Sequence, residues 1–534
     1  MTALLTDNLP LLAGAPNGIK KLRELILELA VRGKLLPQDL SDEPASELLK
    51  RIAEEKARLV AEGKIKKQKP LSERDAEAPA FELPAGWAWA RLADVVNVLN
   101  GRAYKKEELL DAGTPVLRVG NLFTSNHWYY STLTLEEDKY CNPGDLLFAW
   151  SASFGPFIWH GERSIYHYHI WKLDFYAKGQ LSKHYLYNYL LEQTQEIKAA
   201  GHGVSMVHMT KEKMEKLVMP VPPLAEQHRI VAKVDELMAL CDRLEAQQAD
   251  AKSAHTQLVQ ALLDSLTQAS DAPDFATNWQ RLTKHFHTLF TTEPSIDALK
   301  QTLLQLAVMG KLVPQDPSDE PASELLRRIA EERASCVPGR RSAKQAALPS
   351  IDDTEKAFEL PVGWEWVRFQ QIISVSSGDG LVSANMKADG GVPVYGGNGV
   401  TGYHDETNVD NETLVIGRIG YYCGSIHLTP ANAWITDNAL IVSFSEKNIY
   451  KNFLFWLLKG TNLKEQENAT AQPVISGRKI YPIVLAIPPL AEQHRIVAKV
   501  DQLMALCDQL KTRLTQARQL NEQLASTLVE QAVA

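Results

Sequence analysis

A chain of 534 residues, 45% hydrophobic and 23% charged with a formal charge of -8, can bury several cores, and at about 100–200 residues per domain it is expected to hold three to five units. Near the start there is no basic stretch followed by an apolar run and a small-residue cleavage site, and no apolar segment reaches the roughly 18 residues of a membrane span, so secretion and membrane insertion are not expected. Five cysteines without a CxxC spacing speak against a disulfide framework and a zinc ribbon, and fit a reducing cytoplasm. The acidic balance leaves the partner open, because whole-chain charge governs solubility and steering and not a local patch.

In chain order, the first predicted helix places Leu22, Leu25, Ile26 and Leu29 on one face. The second lies in SDEPASELLKRIAEEKARL, with Ser41 as N-cap, early acids, then Leu48, Leu49 and Ile52. A polar linker, GKIKKQKPLSERDAEAP, leads to an LPxGW motif (Leu83 to Trp87) and an aromatic-rich block. Its short β-rich runs are TPVLRVGNL, GDLLFAW and IYHYHIWKL, and one helix is predicted near 182–199. After Pro223, the residues Ile230, Val234, Leu237, Cys241, Leu244, Gln248, Ala251, His255, Leu258 and Leu262 step alternately by four and three, which is a coiled-coil seam.

The same order of parts then returns. PPLAEQHRIVAKVDELMALCD (from Pro222) and PPLAEQHRIVAKVDQLMALCD (from Pro488) agree at 20 of 21 positions, and GKLLPQDLSDEPASELLKRIAEEKA (from Gly33) matches GKLVPQDPSDEPASELLRRIAEERA (from Gly310) at 21 of 25. The early pair is offset by 277 residues and the late pair by 266, so the stretch between was exchanged as a block. Two copies of about 270 residues make a tandem duplication and not a solenoid, whose repeats run to about 20–50 residues. The second seam is Ile496, Val500, Leu503, Cys507, Leu510, Leu514, Ala517, Asn521, Leu524 and Leu528, with polar Asn521 at the position of His255. Each apolar seam needs a partner, so the two helices are expected to pack on each other. The second block, entered through Leu360 to Trp364, carries GVPVYGGNGV, ETLVIGRIG and NALIVSF, with a helix near 449–459. Together the two blocks hold 37 of the 41 aromatic residues, and each reads as a mixed, mostly β globule.

Catalytic motifs are not found. The one GxGxxG (Gly397, Gly399, Gly402) opens no helix to receive a phosphate and reads as a glycine-rich loop. GKLL and GKLV lack the Ser or Thr of a Walker sequence. Seven histidines, His127, His160, His167, His169, His184, His202 and His208, lie in the first block, with His167 and His169 expected on one strand face where they could ligate a metal. The second block has only His404 and His427, at no matching spacing, so a shared metal chemistry is not supported.

The LPxGW motif, a variable block, and the PPLAEQHRIV exit into a long helix, all occurring twice, resemble the specificity subunit of type I restriction-modification enzymes. The resemblance covers nearly the whole chain. It implies a non-catalytic subunit with two target recognition domains, each reading half of a bipartite DNA sequence, separated by paired helices. It also implies partners: two methyltransferase subunits that bind S-adenosylmethionine and methylate adenine, and motor-nuclease subunits that use ATP and magnesium. This chain is then expected to bind no cofactor of its own. The expected fold class is α+β: two mixed mostly-β globular domains separated by long antiparallel paired helices, a coiled coil, in a pseudo-twofold tandem duplication. The expected segments are 1–80 (helical repeat), 81–221 (first recognition domain), 222–357 (long helix and second helical repeat), 358–487 (second recognition domain) and 488–534 (C-terminal helix).

Direct base readout favours Arg and Lys for guanine and Asn and Gln for adenine, on loops that can enter the major groove. In the first block the candidates are Arg102, Tyr104, Lys105, Arg118, Asn121, His202, Ser205 and His208. In the second they are Asn385, Lys387, Asn398, Arg418, Tyr421, Gln472, Ser476 and Arg478. The Trp of each LPxGW reads as a core anchor, because it recurs in blocks that should read different bases. Two alternatives remain at this point: a coiled-coil scaffold without DNA readout, which leaves the aromatic blocks unexplained, and a metal-dependent hydrolase, which leaves the duplication unexplained.

Overall fold

The computed structural model describes residues 9–66, 81–151, 154–200, 209–335, 348–461, 463 and 474–533. The chain divides into two units, Met1–Ala251 with Ala517–Ala534, and Lys252–Gln516. Each contains one sheet-rich globule and a set of helices, so the fold class is α+β.

The first globule contains β1 (Ala88–Arg91), β2 (Val96–Asn100), β3 (Thr114–Leu117), β4 (Tyr129–Ser131), β5 (Tyr140–Cys141), β6 (Leu146–Ala149), β7 (Gly155–Ile158), β8 (Ser164–Tyr166), β9 (Ile170–Phe175) and β10 (Val218–Val221). Two four-stranded sheets run in the orders β2-β9-β6-β7 and β4-β3-β8-β5, and β1 pairs with β10 across the ends of the block. The second contains β11 (Glu365–Arg368), β12 (Ile373–Ser377), β13 (Val392–Gly396), β14 (Gly399–His404), β15 (Leu414–Gly417), β16 (Ile426–Leu428), β17 (Trp434–Ile435), β18 (Ala439–Phe444) and β19 (Val484–Ile487). Its sheets are β12-β18-β15-β16 and β14-β13-β17, closed by β11 with β19. Thus β2, β9, β6 and β7 correspond to β12, β18, β15 and β16, and the parallel pair β3/β8 corresponds to β13/β17. Helices Lys183–Ala200 and Lys451–Gly460 stand where the sequence predicts them.

The nearly identical frame segments build the same socket in each unit. Trp87 Nε1 donates to Glu226 Oε2 at 3.0 Å, and Trp364 Nε1 donates to Glu492 Oε2 at 3.0 Å. Gln38 and Gln315 donate through Nε2 to the other carboxylate oxygen, Oε1 of Glu226 and Glu492, at 3.4 and 3.1 Å, and each also donates to the carbonyl of Gly33 or Gly310. Those glycines have φ of +68° and +70°, and a Cβ would strike the Pro and Trp of LPxGW. Arg229 pairs with Asp42 and Arg495 with Asp319, both at 2.5 Å. Both tryptophans are buried, which makes them the core anchors the sequence predicts.

Three local expectations are corrected. Ser41 is not an N-cap: the helix is Ala45–Ala61, Ser41 turns back on Asp39 through its N–H and hydroxyl, and the Ala45 N–H goes to the Gly86 carbonyl, so Pro44 marks the start. The run TPVLRVGNL is strand only to Leu117, after which Val119–Phe123 turns into a short helix whose first free N–H, on Arg118, is taken by Asn121 Oδ1 at 3.1 Å. The seams also change phase. Helix Leu224–Thr267 buries Ile230, Val234, Leu237 and Cys241, leaves residues 245–254 exposed, and then buries Val259, Leu263 and Leu266, one position beyond the predicted seam. Helix Leu490–Val533 does the same, burying Ala525 where Leu524 was expected, with Leu524 exposed. From Cys241 to Val259 is 18 residues, which is five turns at about 3.6 residues each, so the buried face follows an undistorted helix and not a sustained heptad. The first helix begins in the first unit and ends in the second, and the other does the reverse, so each core takes one half of each helix.

Candidate nucleic-acid interface

At one end of the parallel pair in each globule, the chain builds the same backbone platform from unlike side chains. In the first, the Arg102 N–H reaches the Tyr166 carbonyl at 3.0 Å, the His167 N–H the Leu117 carbonyl at 2.9 Å, the Trp150 N–H the His169 carbonyl at 3.1 Å, and the Ile170 N–H the His167 carbonyl at 2.9 Å. In the second, Asp379 reaches Ile435 at 3.0 Å, Thr436 reaches Tyr395 at 2.9 Å, Arg418 reaches Asn438 at 2.9 Å, and Ala439 reaches Thr436 at 3.0 Å. Gly101 and Gly378 close both platforms, since a Cβ at either would sit 2.3 Å from a carbonyl oxygen of the facing strand. Position for position, Arg102 stands against Asp379, Arg118 against Gly396, Trp150 against Arg418, His167 against Thr436, Tyr168 against Asp437, and His169 against Asn438. The hydrogen bonds common to the two platforms use only main-chain atoms, so the side chains at these matched positions can differ while the backbone arrangement stays the same.

The first platform is aromatic and basic. Arg102 pairs with Glu108 at 2.7 Å and lies 5.3 Å over the Tyr104 ring, and the exposed Arg118 lies 5.2 Å over Tyr129. Burial, then His169 and Arg118, push the His167 imidazole down to about 4, so it is uncharged at neutral pH. His167 and His169 do not share a strand face as expected. They bracket the turn between β8 and β9, with ring centroids 4.9 Å apart. Among the described residues no group of three or more His, Cys, Asp and Glu side chains could hold a metal ion. Trp150 stacks on Trp171 at 5.7 Å and donates its single N–H to the Tyr168 carbonyl at 2.9 Å.

In the second platform, Arg418 Nη1 donates to Ser377 Oγ and to the Asp437 carbonyl, both at 3.2 Å, while Nε is covered and has no acceptor among the described residues. Of the six covered side-chain polar atoms without a partner among the described residues, three lie on the two platforms: Arg102 Nη1, Arg418 Nε and Thr436 Oγ1. Each such atom costs about 1–3 kcal/mol, a cost that an ordered water or a ligand would remove by supplying the missing bond. The β15–β16 loop projects Tyr421, 80% exposed, and Tyr422. It is braced by the Gly424 N–H to the Gly417 carbonyl at 2.8 Å, the Ile475 N–H to the Arg418 carbonyl at 2.9 Å and the Ile419–Val474 bridge.

The remaining candidates scatter around these points. Tyr104, half-buried and with its hydroxyl pushed up by burial, stacks at 6.4 Å from His167, and Lys105 is exposed beside it. Asn121 spends both ends of its amide on Arg118 and on the His127 carbonyl at 2.7 Å. Asn398 is exposed at the tip of the β13–β14 hairpin, which forms the expected glycine-rich loop and opens no helix. Lys387 is held by Asp405 at 2.8 Å, and the Asn385 carbonyl faces His404, both at β14 and off the platform. Ser476 and the exposed Arg478 follow the bridge to Ile419. His202, Ser205, His208 and Gln472 lie outside the described residues.

Sequence reasoning missed Trp150, Tyr168, Asp379, Thr436 and Asp437, and weighed His167 and His169 as metal ligands below surface or nucleic-acid-facing histidines without naming them among the base-reading candidates. The signal was present but faint: LLFAW and LVIGR are both a four-residue strand closed by Ala or Gly and then one large side chain.

A family model described as the type I restriction modification DNA specificity domain matches residues 84–251 and again 361–518. The chain belongs to this family. Each specificity-domain match contains one platform with its Trp–Glu socket. The type I restriction enzyme EcoAI specificity subunit of Escherichia coli is 37% identical over 97% of this chain and 94% of its own length. The EcoEI specificity subunit of Escherichia coli is 35% identical over the same shares. A solved structure titled "Structural basis underlying complex assembly and conformational transition of the type I R-M system" covers 85% of this chain and 99% of its own at 17% identity, with a TM-score of 0.49. Among the described residues no helix is long and apolar enough to cross a membrane.

Proposed function

We propose that this chain is the non-catalytic DNA sequence-specificity subunit of a type I restriction-modification complex, with one globule reading each half of a bipartite double-stranded site. The observation that carries this reading is the main-chain platform built twice with unlike side chains at six matched positions. Base edges are told apart by the donors, acceptors and apolar groups presented to them, so changing side chains on a fixed backbone changes the sequence read and not the docking. The near-identical frame supports two copies of one partner, because near-twofold docking needs near-identical surfaces. Those partners are two methyltransferase subunits, which would bind S-adenosylmethionine and methylate adenine, joined by motor-nuclease subunits using ATP and magnesium. In this reading the chain itself binds no cofactor, carries no catalytic step and works in the cytoplasm on DNA. The first block has 14 basic and 15 acidic residues and the second 9 and 12, so much of the phosphate neutralisation falls to the partners.

The test is to express the chain with its methyltransferase partners in a host without adenine methylation and map the methylated sites. Exchanging residues 81–221 for the block of a relative should change one half of the methylated sequence and leave the other. A change in both halves, or methylation without any sequence requirement, refutes the reading.

A further inference from the structure

The residue closing the third strand of each four-stranded sheet stands at one matched position, Trp150 after β6 and Arg418 after β15, and the two make the same backbone bond to the β8–β9 or β17–β18 turn. Their chemistry is opposite. The indole has one donor, already given to the Tyr168 carbonyl, so toward a ligand Trp150 offers only ring surface. The guanidinium has its Nη1 donors fixed by Ser377 and Asp437, which sets its plane, and its Nη2 and Nε donate to nothing among the described residues.

We propose that this matched position is a base-discriminating contact in each half-site: Arg418 takes the hydrogen-bond acceptors of a guanine, and Trp150 takes the apolar face of a thymine methyl group. The inference rests on the proposed DNA-reading function and deepens it. A planar guanidinium held by Nη1 and left with Nη2 unengaged suits the acceptors on the major-groove edge of guanine, and a thymine methyl needs an apolar surface that asks for no donor. The same donors would also suit a backbone phosphate, which carries no sequence information.

The experiment maps methylated adenines for the complex containing R418A or W150A beside the parent. R418A should relax one G·C position in one half-site, and W150A one T·A position in the other, each leaving the opposite half unchanged. The intact half-site requirement serves as the folding control, because methylation of a bipartite site needs both domains. Should R418A abolish methylation, R418K keeps the cation and removes the planar fork: methylation at a relaxed sequence supports the proposal, and methylation at the parental sequence overturns it. Should both be inactive, binding of the purified complexes to cognate and random DNA decides. A fall of tenfold or more in the cognate-to-random ratio supports base reading, and an equal loss on both DNAs assigns Arg418 to phosphate and overturns it. Parental specificity retained in every variant sinks this inference alone, whereas a parent complex without sequence requirement sinks the DNA-reading function.

Discussion

Replacing Trp364 by Phe removes the indole donor from Glu492 and leaves the carboxylate with Gln315 at 3.1 Å as its remaining side-chain donor. A hydrogen bond to a charged group is worth about 1.5–3 kcal/mol, and the smaller ring adds a packing loss of about 1 kcal/mol or more, so a total of about 3–4 kcal/mol is expected. At about 2–4 °C per kcal/mol for a unit of this size, the second unit should unfold roughly 6–16 °C lower. The two contributions separate by pH. Burial raises the Glu492 carboxyl above its ordinary value. A raised carboxyl lends stability below its unfolded pKa and loses it as pH rises through the folded one. Below the ordinary carboxylate range Glu492 is protonated in parent and variant, and the missing bond is a neutral one worth about 0.5–1.5 kcal/mol. Well above the raised value both are ionised and the full charged bond is missing. Calorimetric unfolding from pH 4 to pH 8 should therefore show a W364F deficit that grows with pH by about 1–2 kcal/mol. A deficit constant across that range would mean that the Trp acts by packing alone. W87F should behave in the same way through Glu226, whose carboxyl burial also raises.

The double variant W87F/W364F should lose the sum of the single losses to within about 0.3–0.5 kcal/mol, since the sockets share no residue; a larger departure in calorimetry would show coupling. In G378A the new Cβ would lie 2.3 Å from the Ile435 carbonyl oxygen and 2.5 Å from that of Thr436, so the platform must open. Methylation mapping should then show one half-site lost or relaxed and the other kept, and an unchanged site would refute the role of that close approach. His167, held down to about 4 chiefly by burial, should stay neutral in the folded chain from pH 5.5 to 8, and the first globule should lose stability as pH falls from the ordinary imidazole value of 6.5 toward about 4, where the unfolded chain binds the proton and the folded one does not. An NMR titration with a midpoint above about 6 would contradict the buried environment assigned to it.

What the sequence by itself determined is the frame. Nearly identical segments 266 and 277 residues apart make matching contacts, and LPxGW, GKLxPQ and AEQHR fold into one socket in which Trp, Glu, Gln and Gly meet twice. The blocks between were legible as β-rich, because aromatic content and alternating runs are local properties, and as carriers of specificity only through the family resemblance of their borders. The platform was not legible. It forms because β3 pairs in parallel with β8, joining Val116 to Ile165, and β13 with β17, joining Val394 to Trp434, and such long-range pairing leaves no period in the chain. It also rests on main-chain hydrogen bonds, which at this matched position accept unlike side chains, so Trp150 and Arg418 occupy one place without resembling one another. The seams show the same division. The sequence gives two amphipathic helices, but which residue is buried in their second halves depends on the core each half enters, and there the straight helical period puts Val259 and Ala525 inward in place of Leu258 and Leu524.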